Sequence, residues 1–239
     1  MKATAIAHPI QGLIKYHGLA DPVLRLPFHD SISVCTAPLT TRTTIEFGEV
    51  ARDRATIDER DVTARDMERI RAVVDPIRET ASLRTPFRMA SVNDFPSNIG
   101  LGASASGFAA LAMAAAHAAG LRLSLEEISR FARRGAGSAS RSVTGGFSKW
   151  KMGLTDEDSY ATQLAGPDLP VVVNHDGSLA GRAGHGRGSA RHSGRCDLIS
   201  GLRSQAALQC RTALHVAPER LAEAVGRGGY SACRSRDGS

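Results

Sequence analysis

Asp94-Phe95-Pro96-Ser97-Asn98-Ile99-Gly100-Leu101-Gly102-Ala103-Ser104-Ala105-Ser106-Gly107 lies between a strand-like run, Phe87 to Val92, and an Ala-rich segment, Ser104 to Ala119. Strand, glycine loop and buried helix in that order make a phosphate cradle. Gly100 and Gly102 permit backbone conformations and a close approach that a Cβ would block. The start of the following helix presents unpaired N–H groups at the positive end of its dipole. Ser97 enters the loop, and Ser104 and Ser106 add hydroxyls for phosphate or Mg²⁺. The Gly-Lys-Ser/Thr ending of a Walker A loop is absent. Taken alone, the stretch also reads as a flexible loop feeding a core helix.

The segments on either side alternate between the two periods of regular structure, which marks an α+β (α/β) domain. Ala3 to His8 reads as a strand ending at Pro9. Ser31 to Thr36 and Thr41 to Phe47 are β-branched strands separated by a turn at Ala37-Pro38, expected to pair antiparallel. Thr63 is placed to cap a helix in which Met67, Ile70, Val73, Val74 and Ile77 recur at helical spacing. The Ala-rich helix is small nearly all round, so it should be buried, with Gly120 closing it. Ser124-Leu125-Glu126-Glu127 is a capping box for a helix carrying Leu125, Ile128, Phe131 and Ala132 and ending at Arg133-Arg134. Gly137 to Val143 looks like a helix start. Gly145-Gly146 turns into a short strand, Phe147 to Trp150, and Val171 to Val173 is another.

The 239 residues carry a net charge of +6, and its placement matters more than its size. Residues 1–179 hold 20 Lys and Arg against 20 Asp and Glu, whereas residues 180–239 hold 10 against 4. The body is therefore neutral and the tail basic. Beyond Leu179 the hydrophobic periodicity collapses into an Arg/Gly/Ser-rich low-complexity stretch, expected to be disordered apart from an amphipathic run between Leu208 and Val225. It reads either as a genuine basic tail or as the product of a shifted reading frame in a GC-rich gene. The division is then 1–179, a nucleotide- and substrate-binding domain, and 180–239, the tail. Cys35 sits in a strand and Cys196, Cys210 and Cys233 in the tail, with no C-x-x-C pair, so the thiols read as inert. No apolar run is long enough for a membrane span and the first residues lack a signal peptide's apolar stretch, so a cytoplasmic protein without membrane partners is expected.

The glycine stretch resembles the P-x-x-x-G-L-[GA]-S-S-A-[AS] loop of the GHMP kinase superfamily, with Ala103 in place of the first serine and Ser104 matching the second. Three further stretches resemble the mevalonate-diphosphate and mevalonate-phosphate decarboxylases within it. Ala7-His8-Pro9-Ile10-Gln11-Gly12-Leu13-Ile14-Lys15-Tyr16-His17-Gly18 is similar to A-P-x-N-x-x-L-x-K-Y-W-G-K. Leu26 to Val34 is similar to L-P-x-x-x-S-[IL]-S-V, and Arg134 to Phe147 to R-x-G-S-G-S-A-x-R-S-x-x-G-G-[FY]. The resemblance implies a ribosomal protein S5 domain 2-like fold for this part, followed in family members by a ferredoxin-like C-terminal domain that is unrecognisable here. It also implies ATP-dependent decarboxylation of mevalonate 5-phosphate or 5-diphosphate to the isopentenyl product in isoprenoid biosynthesis, with ATP and Mg²⁺ as cofactors.

Such a substrate brings a carboxylate, a phosphate and a developing tertiary cation. Lys15 and Arg141 are the candidate catalytic cations, a compact charge and a planar fork, while Tyr16, Ser138 and Arg141 are the candidate substrate-binding groups. The resemblance assigns nucleotide binding to Ser97, Gly100, Gly102, Ser104 and Ser106, with Ser104 the candidate Mg²⁺ ligand. Without the resemblance, Lys15 and Arg141 would be ordinary surface charges. Gln11, His17, Leu19 and Ala136 stand where the diphosphate enzymes carry Asn, Trp, Lys and a phosphate-binding Ser. With fewer diphosphate contacts, mevalonate 5-phosphate is the expected substrate. The D-A-G-x-[NH] motif holding the family's catalytic Asp does not occur, so the chain is expected to supply nucleotide and substrate groups without the full catalytic set. The alternatives are a GHMP small-molecule kinase, an inactive fragment, or a nucleic-acid-binding protein using the basic tail. Nucleic acid is not the expected partner, because the tail has little aromatic interleaving. The expected partner is the small-molecule substrate, with a homodimer left open.

Overall fold

From Lys2 to Ala7 larger side chains alternate with alanine, and this period-two pattern forms strand β1 (Lys2–Ala7) with Ala3, Ala5 and Ala7 buried. The computed structural model describes residues 1–48, 50–97, 100–165, 171–173 and 179–180. After β1 come β2 (Ile10–Ile14), the small pair β3 (Leu19–Asp21) and β4 (Leu26–Pro27), then β5 (Ser31–Cys35) and β6 (Thr41–Phe47). A hairpin, β7 (Arg54–Ile57) and β8 (Arg60–Asp61), leads into helix α1 (Ala64–Thr80) and strand β9 (Phe87–Asn93). Three helices follow, α2 (Ala103–Ala118), α3 (Leu125–Gly135) and α4 (Ala139–Thr144). The last strands are β10 (Phe147–Trp150), β11 (Ala161–Ala165), β12 (Val171–Val173) and β13 (Leu179–Ala180).

Among the described residues the larger sheet runs β13-β12-β1-β6-β9-β7-β8 and a second sheet runs β11-β10-β5-β2. In the larger sheet β6 pairs antiparallel with β1 and β9, with Thr43 opposite Ala5 and Ser91. Helix α2 lies on this sheet. Its run Ala109 to Ala116 is buried throughout, because methyl-sized side chains let the helix approach the strands closely on one side and other helices on the rest. Ile45, Phe47, Phe87 and Met89 from the sheet and Ile70, Val73, Val74 and Ile77 from α1 complete the core. Each such side chain contributes roughly 1.5–3 kcal/mol on burial.

The expected caps are present. Thr63 accepts from the Asp66 amide, and Ser124 and Glu127 form a reciprocal capping box. At the other end of α3 two arginines meet the free carbonyls: Arg25 Nε donates to Arg134 O at 3.0 Å and Arg69 Nη2 to Gly135 O at 3.0 Å. Positive groups there also complement the helix dipole. Leu125, counted with the apolar face of this helix, is instead 43% exposed in its first turn.

The expected pairing of Ser31–Thr36 with Thr41–Phe47 is not found. β5 pairs with β2 and β10, whereas β6 belongs to the other sheet. The link between them lacks the residues of a tight hairpin turn, and its two ends are hydrogen-bonded to different partners. Thr36 N–H donates to Pro9 O at 2.9 Å, and Thr40 N–H to the Asp94 carboxylate at 2.7 Å. The chain therefore changes sheets across the cis Ala37–Pro38 peptide. Residues 181–239, and with them the expected tail, lie outside the described residues. No helix among the described residues is long and apolar enough to cross a membrane.

Candidate active site

The site begins where β2 hands over to Lys15 and Tyr16. A Cβ on Gly12 would stand 3.1 Å from Lys15 Cγ, so glycine leaves room for the lysine stem. Across from it, the turn into α4 brings Gly137 against two rings. A Cβ there would lie 2.8 Å from Trp150 Cη2 and 3.1 Å from the Tyr16 hydroxyl, so only glycine lets both rings close on this turn. Tyr16 and Trp150 meet edge to face with centroids 5.0 Å apart, and the indole N–H donates to Ser159 Oγ at 3.1 Å.

Helix α4 is short, and hydrogen bonds to its neighbours fix it. Ser140 Oγ donates to Gly137 O at 2.7 Å, Ser142 Oγ donates to His8 O, and Ser148 Oγ donates to Arg141 O at 3.2 Å. These bonds set the direction of Arg141, whose side chain runs into a cavity of about 350 Å³. Lys15, Tyr16, Gly100, Ser138 and Arg141 all line that cavity, together with Gln11. Five of the residues singled out in the sequence thus converge from three separate parts of the chain.

Arg141 is only 3% exposed, and its Nε and Nη1 atoms are buried with no hydrogen-bond partner. Its guanidinium lies 5.8 Å from the Tyr16 ring centroid and 5.9 Å from that of Trp150. Burial pulls its pKa down to about 10, so it stays charged at neutral pH. Each ring contact is worth about 0.5–2 kcal/mol, whereas taking an unpaired charge out of water costs several kcal/mol. The two rings do not balance that cost; an anion with two or more oxygens would. Lys15 is exposed at the same cavity and makes no ion pair among the described residues. Two cations and the neutral donors of Tyr16 and Ser138 therefore surround one anion-sized space.

The glycine loop closes the other side. Gly100 and Gly102 both have φ +79°, a region open to glycine and strained for other residues. At Gly102 a Cβ would also approach Ile10 O to 3.3 Å, so the loop rests on the start of β2. Gly102 is the N-cap of α2; no side chain caps that end and no acidic residue occupies its first turn. The helix itself thus supplies no counter-charge to the positive end of its dipole. Ser104 is exposed in this first turn.

Ser97 and Ser106 are placed differently. The Ser97 hydroxyl donates to Asp58 Oδ2 at 3.0 Å, and Ser106 is fully buried with Oγ 2.6 Å from Thr41 Oγ1. The structure therefore does not bring Ser106 to the open face beside Ser104. Helical geometry carries the signal for this, since residues two apart point to opposite sides of a helix. Sequence reasoning also passed over Asp58, Asn93 and Trp150, whose partners are distant in sequence. Among the described residues no group of three or more His, Cys, Asp or Glu could hold a metal. A cation here would need oxygens from a bound nucleotide beside the Ser104 hydroxyl.

Comparison with known proteins points the same way. The model of the diphosphomevalonate decarboxylase-like N-terminal domain matches residues 7–161. The phosphomevalonate decarboxylase of Haloferax volcanii is 52% identical over 179 residues, which cover 73% of this chain and 55% of that protein. The mevalonate diphosphate decarboxylase of Enterococcus faecalis superposes with a TM-score of 0.65 at 36% identity, over 68% of this chain and 51% of that one. A structure of MDDEF in complex with MVAPP, AMPPCP and magnesium gives the same TM-score, 0.65, at 36% identity over 68% and 50%. The chain spans about half the length of the curated relatives it matches. The matched span contains every residue of the cavity.

Proposed function

The chain belongs to the diphosphomevalonate decarboxylase-like family, and from that premise we propose that it serves the ATP-dependent decarboxylation of mevalonate 5-phosphate. The observation that carries this reading is the buried Arg141 guanidinium, without a hydrogen-bond partner at Nε and Nη1, facing the same cavity as Lys15. Arg141 suits bidentate binding of a carboxylate or phosphate, and Lys15 neutralises charge as a mobile ammonium. Tyr16 and Ser138 orient the remaining oxygens.

Gly100, Gly102 and the first turn of α2 receive the nucleotide phosphates, with Ser104 as the one protein hydroxyl offered to Mg²⁺. When bound, ATP would supply the phosphoryl group that makes the tertiary hydroxyl of the substrate a leaving group, with the hydroxyl proton released to water. When that C–O bond breaks, the C–C bond to the carboxylate supplies the electron pair of the new alkene and CO₂ departs. Isopentenyl phosphate, ADP and inorganic phosphate are the other products. The protein's part is placement and electrostatics: Arg141 and Lys15 hold the acidic ends of the substrate so that its hydroxyl faces the loop.

The monophosphate is preferred on two grounds. Ala136, where a phosphate-binding serine is usual, is buried and offers no hydroxyl, and Leu19 offers no second cation. In addition, the phosphomevalonate decarboxylase is the 52% identical relative, against 36% for the diphosphate enzyme of known structure. Calorimetric titration of the chain with both compounds tests the reading. Mevalonate 5-phosphate should bind more tightly than the 5-diphosphate, and Arg141→Met should remove the difference by abolishing both. Binding unaffected by that substitution would overturn the assignment. With ATP present, phosphate transfer without CO₂ would indicate a small-molecule kinase instead.

A further inference from the structure

A file of hydrogen bonds outside the strand ladder joins the two ends of the glycine loop. Thr41 Oγ1 donates to Asn93 Oδ1 at 2.6 Å and lies 2.6 Å from Ser106 Oγ. The Ser106 hydroxyl also meets the Ala103 carbonyl at 3.3 Å, so the Thr41 hydroxyl links Asn93 to the first turn of α2. Asn93 Nδ2 donates to Asp58 Oδ2 at 3.1 Å and to Ser97 Oγ at 3.2 Å, while the Asn93 amide donates to Asp58 Oδ1 at 2.9 Å. Ser97 adds its own bond to Asp58 Oδ2 at 3.0 Å. Asn93 and Ser97 thus both donate to one carboxylate.

Asp58 sits at the tip of the β7–β8 hairpin with φ +49°, and its N–H donates to Ser91 O at 2.9 Å. Aspartate is one of the few non-glycine residues that adopt this conformation readily. Burial works against its charge, but bonds from Asn93 and Ser97 outweigh it and hold the carboxyl below its ordinary range. The acceptor is ionised at neutral pH.

We infer that Asp58 is a positioning residue for nucleotide binding, its carboxylate fixing the loop entrance at Asn93 and Ser97 relative to the exit at Ser106. The inference rests on the nucleotide reading of the loop given above. Asp58 acts through Gly100, Gly102 and Ser104, not by contact with a ligand.

Asp58→Gly separates the carboxylate from the backbone, because glycine keeps the positive φ of the hairpin tip. Asp58→Asn keeps both the conformation and one acceptor oxygen. In the full chain, Asp58→Gly should weaken MgATP binding by about tenfold or more, the size of one lost charged anchor. Asp58→Asn should recover part of that loss, and affinity for mevalonate 5-phosphate should fall less than that for MgATP, because Lys15, Tyr16, Ser138 and Arg141 are held by other elements. Amide exchange of the ligand-free protein should rise at residues 100–106 and stay unchanged at residues 54–57. Unchanged exchange at 100–106, or equal loss of affinity for both ligands with a lowered melting temperature, would overturn the inference. If the unaltered chain binds no MgATP, the nucleotide reading fails by itself, and exchange at 100–106 alone then decides whether Asp58 positions the loop.

Discussion

Arg133 and Arg141 are both buried arginines, eight positions apart on neighbouring helices, and they live in opposite surroundings. Arg133 is fully buried, yet its guanidinium donates to Leu24 O at 2.8 Å, to Ser159 O and to the Asp156 carboxylate. Asp156 is shared with Arg130 and Arg134. Arg141 has aromatic walls and two orphaned nitrogens. Burial pulls both down to about 10, with Asp156 opposing it at Arg133, so both remain charged. One guanidinium is complete within the protein, and the other leaves two nitrogens for the anion proposed above. Partnership, more than burial, separates a structural charge from a binding charge.

Breaking the complete partner should have the largest effect. Arg133→Met leaves Asp156 with Arg130 and Arg134 alone and two backbone carbonyls, Leu24 O and Ser159 O, without their donor, and should cost about 3–5 kcal/mol in urea unfolding. Asp156→Asn should destabilise in the same range at neutral pH, with a pH signature. Burial raises the Asp156 pKa, but the hydrogen bond from Arg130 and the charges of Arg133 and Arg134 outweigh it and hold it low. Its contribution is therefore present above the unfolded value of about 3.9 and fades as pH falls through the lower folded value. Unfolding curves of the two proteins should converge in acid.

Arg141→Met inverts this pattern. Removing an unpaired buried charge should leave ligand-free stability unchanged or raised, while mevalonate 5-phosphate affinity falls by about 2–5 kcal/mol. Lys15→Ala, at an exposed position, should shift stability within about 0.5 kcal/mol and weaken substrate binding about tenfold. The smallest contrast is between the two helix serines. Ser104→Ala should reduce MgATP affinity at constant stability, whereas Ser106→Ala should lower stability by about 1 kcal/mol through the Thr41 bond. If Ser106→Ala also lowers MgATP affinity while the melting temperature stays fixed, its hydroxyl belongs to the nucleotide site after all.

What the sequence disclosed was governed by local rules. The spacing of Ile70, Val73, Val74 and Ile77, the Ser124 and Glu127 box and the alanine run each depend on neighbours within one or two turns. Lys15, Tyr16, Ser138 and Arg141 were found through motifs, and the fold then brought them to one cavity. Strand partners were not legible, because the pairing of β5 with β10 joins Ser33 to Ser148 across more than a hundred residues. Asp58 was hidden for the same reason: its partners Asn93 and Ser97 lie 35 and 39 residues on. Arg133 read as a helix-end charge, and only its contact with Asp156, 23 residues later, makes it a core residue.

Whether Arg141 is the anion receptor proposed above is decided by thermal unfolding of the unaltered chain and of Arg141→Met, each with and without saturating mevalonate 5-phosphate. The ligand should raise the melting temperature of the unaltered chain, as binding to the folded state requires. Arg141→Met should melt at or above the ligand-free value and not respond. A variant that melts lower and still responds to the ligand would contradict it.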